Sequence, residues 1–350
     1  MGFDVLGAYA AMVYAMPVIG GLLADRYLGM RKAVIFGGIL LVCGHLGMAV
    51  EGDAARMDAN QVVRNEGALQ VFYFSLALIA MGVGFLKPNI STIVGRLYGD
   101  NDPRRDSGFT IFYMGINLGA FTAALLCGYL GENYGWAYGF GAAGIGMIIG
   151  LITFIGGQKH LLGHAESANP ELLASKGILG ISKEWQIYLG ACAGVLVIWQ
   201  MLQFHASVSA ALNLLSAAVL LGMAWFITTQ CNKTERDQMI ALIILTVSSV
   251  VFWALFAQSA SSMTLYADRV MNRDILGIEF TAAQYGSLNA MFIFMLAPLY
   301  AWLWTRLGSS GREPSTPVKF ALGIAQAGLG FGALVVGATM PDDSGKVLAG

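Results

Sequence analysis

Lys87 directly follows eighteen uncharged residues (69–86) and directly precedes a proline in the stretch GVGFLKPNIS (82–91). An ammonium at the centre of a bilayer costs ~2.5–3.5 kcal/mol, so this one needs water, a partner or an escape route. One route is to snorkel toward Arg96, nine residues on and roughly 13 Å along a helix. The other is a wet cavity, and Pro88, Asn89, Ser91 and Thr92 make the segment polar and locally kinked, as in a cavity-lining helix. Asn117 lies one helical turn beyond Tyr113 and between Gly115 and Gly119. Its amide offers a donor and an acceptor to a ligand, or it serves as polar glue on a GxxxG packing face.

The composition says what must position these groups. Hydrophobic residues make up 57% of the chain and charged residues 12%, against about 25% charged in a soluble domain. The chain is therefore an all-α polytopic membrane protein. Charge-free runs of about 18 residues or more fall at 6–24, 33–50, 69–86, 109–130, 136–157, 185–204, 210–229, 239–266, 285–304 and 320–340. Most are glycine-rich and none alternates apolar with polar, which predicts helices rather than barrel strands. With alternate connections assigned to opposite sides, fourteen of the 20 basic residues lie on one side, five on the other, and Lys87 within a span. The richer side is cytoplasmic. Both termini then fall outside, which reads as a fragment missing at least one upstream helix.

Several local patterns are set aside. GFGAAG (139–144) spells a dinucleotide fingerprint but sits inside an apolar span with no preceding strand. His160 and His164 are one turn apart in a charged cytoplasmic connector with no further ligand, so a solvated face is expected and no metal. The four cysteines (Cys43, Cys127, Cys192, Cys231) are far apart, and a net charge of −1 suggests no nucleic-acid partner. No nucleophile–base pair or zinc-helix pattern points to an enzyme.

GGLLADRYLGMRK (20–32) resembles the short loop between the second and third helices of major facilitator transporters, with Asp25 and Arg26 at its cytoplasmic end. GFLKPNIS, FTIFYMGINLGAF (109–121), FWALFAQSASSMTLYADR (252–269) and SLNAMFIFMLAPLYAWLW (287–304) follow in order. Together they resemble the proton-dependent oligopeptide transporter family, peptide symporters of the major facilitator superfamily. The resemblance implies an incomplete major facilitator fold of about ten spans, family helices two to nine plus an inserted helical pair. The expected organisation is a first bundle at 1–157, a cytoplasmic linker at 158–184, the inserted pair at 185–230 and a partial second bundle at 231–350. It implies Lys87 in carboxylate binding and proton coupling, Asn117 and Asn289 on the peptide, Tyr14 as a cavity tyrosine, and Asp25 with Arg26 in gating. Gln258 is a possible polar contact, with packing an equal alternative.

The implied function is proton-coupled uptake of di- or tripeptides by alternating access across an inner or plasma membrane. Protons would be the coupling ion, the partners small peptides and lipid, and no cofactor is implied. One position departs from the family pattern: Ala257 stands where a glutamate usually precedes the glutamine. An alanine cannot titrate, so coupling through that position is in doubt. The alternatives are another small solute, such as an amino acid, nitrate or other anion, and a non-transporting membrane paralogue.

Overall fold

The computed structural model describes residues 2–52, 56–58, 61–99, 102, 105–177, 180–258, 261–275, 277–312, 314–341 and 346–348. Arg104 and most of the terminal run from 342 lie outside the described residues. Every expected span is helical. The long helices are α1 (Gly2–Leu23), α2 (Met30–Met48), α3 (Glu66–Arg96), α4 (Arg105–Tyr134) and α5 (Trp136–Gly156). After the short α6 (Pro170–Ala174) come α7 (Lys183–Gln203), α8 (His205–Thr229), α9 (Lys233–Ala257), α10 (Ser262–Arg269), α11 (Gly286–Ser309) and α12 (Thr316–Gly337). Among the described residues, eight helical segments are long and apolar enough to cross a membrane. A helix satisfies its own backbone polar groups, which hydrocarbon cannot.

Within the expected span at 239–266, residues 259–260 lie outside the described residues. α9 ends at Ala257 and α10 begins at Ser262. Ser261 has φ −129° and ψ −94°, outside helical space. Side chains there turn back on the chain: the Gln258 amide donates to the Ala254 carbonyl at 3.3 Å, and Ser262 Oγ donates to Gln258 Oε1 at 2.6 Å. Such local bonds compete with the helical ladder.

The chain forms two compact units. One comprises Met1–Gly115 and Leu130–Ala211, the other Ile116–Tyr129 and Leu212–Gly350, so α4 contributes to both. In the first unit α3 packs against α1, α2 and α7, and α2 also packs against α5. Glycines set these distances. A Cβ on Gly37 would stand 2.7 Å from the Gly82 carbonyl oxygen, and one on Gly82 would stand 2.8 Å from the Gly37 oxygen. Neither approach tolerates a side chain, which is how small residues bring membrane helices together. Gly20 of α1 likewise lies against the Gly84 carbonyl. That carbonyl is the one Pro88 leaves without a helical donor, because proline has no N–H. α3 nevertheless runs unbroken through Pro88.

The connector after α5 is also part of this unit. Met30, Val34, Ile93 and Ala165 share a buried cluster with Phe154 and Leu161 against it. The Arg31 guanidinium donates from Nε and Nη2 to the two carboxylate oxygens of Glu166, the second at 3.0 Å, and from Nη1 to Gln158 at 3.1 Å. Lys32 donates to Glu184 at 2.6 Å. Arg31, bonded to Glu166, holds that carboxyl below its ordinary range. A depressed carboxyl stabilises the fold above its unfolded pKa, and the stabilisation fades as pH falls through the depressed folded value. The Glu166 side chain is 48% exposed, so solvent screening leaves about 0.2–1 kcal/mol. We expect faster amide exchange at 165–167 on acidification below about pH 4, and no such acid step in Glu166→Gln. An unchanged acid step in that variant would contradict the assignment.

In the second unit α9 opens on a capping box. Asn232 Oδ1 accepts from the Glu235 N–H, and Glu235 Oε2 accepts from the Asn232 N–H, both at 2.9 Å. α9 packs against α12. Within this unit the Phe121 ring of α4 lies 5.7 Å from the Phe294 ring of α11, and the Gln284 amide, in the turn before α11, donates to the Leu125 carbonyl at 3.4 Å.

Candidate functional site

Lys87 is exposed on α3, beside the glycine-lined contact with α1. Its Nζ lies 5.1 Å from the centroid of the Tyr14 ring, a cation–π geometry. Tyr14 is nine residues before the end of α1, roughly 13 Å along the helix axis. The ammonium thus lies beside the middle of α1. The structure brings together two of the sequence-derived site residues, 73 positions apart in the chain. Tyr14 is itself 63% exposed, so the pair presents an open face rather than a packed core.

Asn117 and Asn289 lie in the second unit, on α4 and α11. Asn117 is buried, at 7% exposure, and Asn289 is exposed. Gln258 is half-buried and its amide is used within its own helix end, on Ala254 and Ser262. This is the structural role left open beside the binding one.

Asp25 and Arg26 are exposed on a π-helical turn, Ala24–Leu28, that closes α1. Single π turns are frequent at functional sites. Gly29, at φ 76°, ends it with its N–H bonded to the Ala24 carbonyl at 2.9 Å. A Cβ there would strike the backbone of Glu166 and Ser167, and the Ser167 hydroxyl donates to the Tyr27 carbonyl. The loop is therefore held by the connector rather than by its own residues alone.

Sequence reasoning missed a cavity in the first unit of about 620 Å³, lined by Arg96, Arg105, His164, Tyr98, Ser91 and Thr92 among others. The arginines count toward orientation in the sequence and the histidine reads as solvated. Nothing in the local pattern shows that 164 returns to the end of α3.

A family model for the POT family matches residues 31–349. The chain belongs to the POT family. The family is one of transporters, and its fold here is an incomplete major facilitator architecture of membrane helices. An uncharacterized transporter, YclF of Bacillus subtilis (strain 168), is 38% identical over 342 residues, covering 95% of this chain and 65% of the relative. The peptide transporter YePEPT of Yersinia enterocolitica is 32% identical over 353 residues, with the same coverage. The chain thus spans about 65% of the length of these POT relatives. Among solved structures, a peptide transporter POT in complex with sulfate is 37% identical with a TM-score of 0.77, covering 99% of this chain and 67% of that one. A POT family transporter in complex with 5-aminolevulinic acid is 26% identical, TM-score 0.73, covering 93% and 65%.

Proposed function

We propose that this chain carries solute-binding elements of a proton-coupled symporter for di- and tripeptides in the cell inner membrane. Lys87 is the counter-ion for the peptide carboxylate and takes part in proton coupling. Asn117 and Asn289 hydrogen-bond the backbone, and Tyr14 shapes the face beside Lys87. Asp25 and Arg26 belong to the gating loop, and Gln258 is a secondary polar contact. The observation that carries the reading is the Lys87 ammonium over the Tyr14 ring, mid-span in a POT-family chain. A cation kept away from the membrane surface has its natural partner in an anionic guest. Protons are the coupling ion, and the chemistry asks for no cofactor.

Ala257 favours a second reading, the same fold carrying another small solute. It is exposed and cannot titrate, so the coupling has one fewer proton site than the family pattern supplies. A POT family transporter has been solved in complex with 5-aminolevulinic acid, a ligand that is not a peptide, which supports testing this reading. A thermal-shift screen of the purified protein against dipeptides, amino acids and nitrate separates the two. Dipeptides with a free carboxylate should raise the melting temperature and their amides should not. Stabilisation by nitrate or single amino acids with no response to dipeptides would overturn the peptide reading.

A further inference from the structure

The cavity at the end of α3 is built differently from the Lys87 face, and among the described residues its lining offers two guanidinium groups, an imidazole and a phenol. Arg96 is the last residue of α3, Arg105 the first of α4, and His164 belongs to the connector after α5. Among the described residues neither guanidinium forms an ion pair with a carboxylate, whereas Arg31 and Lys32 on the same face are both committed to glutamates. The two small hydroxyls in the lining do not add donors. Ser91 and Thr92 both donate to the Pro88 carbonyl, at 3.0 and 2.9 Å, so they turn only lone pairs toward the cavity. Those lone pairs suit a guanidinium and repel an anion, which leaves the arginines, His164 and the Tyr98 hydroxyl as the groups an anion would meet.

The walls fix where those groups sit. A Cβ on Gly95 would stand 3.3 Å from Phe109 Cζ and 3.6 Å from Arg105 Nη2, so the guanidinium and the ring lie side by side across a glycine. Gly108 gives the same room to the Tyr98 ring. Two aromatics beside two arginines at the end of a membrane helix mark the level of the interface, on the side that is cytoplasmic by the distribution of basic residues. A volume of about 620 Å³ admits a small ligand or a lipid headgroup.

We propose that this cavity binds a phosphate group at the cytoplasmic face, held by Arg96 and Arg105 with His164 and Tyr98 completing its donors. Guanidinium forks match phosphate oxygens in pairs, and basic pockets between membrane helices on this side take phospholipid headgroups. The phosphate comes from an anionic phospholipid or from a soluble phosphate, two sources with the same chemistry.

The test uses the purified full chain, with readouts that do not involve uptake. Native mass spectrometry scores retention of phosphatidylglycerol against phosphatidylcholine, and a thermal-shift titration compares inorganic phosphate with chloride at equal ionic strength. The protein should retain phosphatidylglycerol selectively, or be stabilised by inorganic phosphate, or both; the first identifies a lipid source and the second a soluble one. Arg96→Gln with Arg105→Gln should weaken the response by about tenfold or more, the weight of charge-assisted bonds. If that pair does not fold, Arg96→Lys with Arg105→Lys keeps the charge, removes the fork and should weaken it several-fold. Equal binding by the unmodified protein and the folded variant, or no preference for either phosphate probe, overturns the proposal.

Discussion

If the proposed function holds, Lys87→Ala in a full-length version of the transporter should reduce proton-driven dipeptide accumulation in proteoliposomes to the level of protein-free vesicles. The expected size follows from what is removed. A charged hydrogen-bonding partner is worth about 1.5–3 kcal/mol, or about ten- to a hundredfold in affinity, and the coupling group is lost with it. Lys87→Arg separates the two roles. It keeps the positive charge beside Tyr14, but a guanidinium does not release its proton at physiological pH. Exchange of peptide for peptide should therefore survive in the arginine variant while accumulation against a gradient fails. Unchanged accumulation by Lys87→Ala would remove Lys87 from the mechanism, and with it the central claim about function.

The second large effect is structural. Gly82→Ala should sharply lower folded yield and thermal stability, although it adds only a methyl group. Its Cβ would lie 2.8 Å from the Gly37 carbonyl oxygen and 3.0 Å from the Leu41 nitrogen. Both neighbours are backbone, so α2 and α3 must move apart as bodies. Overpacking in a core costs typically about 1–3 kcal/mol, and a backbone clash belongs at the upper end. Gly150→Ala in α5 is the control. A Cβ there meets nothing within 4 Å, and alanine is the better helix former by up to about 1 kcal/mol. The two substitutions should shift the melting temperature in opposite directions. A neutral Gly82→Ala would show that the α2–α3 approach is looser than the structure has it.

These two predictions divide along what each level of description supplies. The helical spans and the membrane class were legible in the sequence, because hydrocarbon forces every buried backbone group into a helix. The family was legible as well, since GFLKPNIS, the Asn117 segment, the Gln258 segment and the Asn289 segment keep their order along the chain. The side-chain bonds of Gln258 with Ala254 and Ser262 were not, because an uncharged run looks the same whether or not its polar side chains turn back on the chain.

Only the tertiary structure decided where the Lys87 ammonium goes. The sequence names Lys87 and Tyr14 separately, and their meeting depends on α1 lying against α3 at the Gly20–Gly84 approach. The same holds for the cavity of Arg96, Arg105 and His164, which joins a helix end, a helix start and a connector 59 positions beyond Arg105. Hydropathy and motif order are properties of one helix at a time, and they survive being read along a line. Contacts between helices depend on rotation and register about each axis. Those are set by which residues are small enough to let two backbones meet.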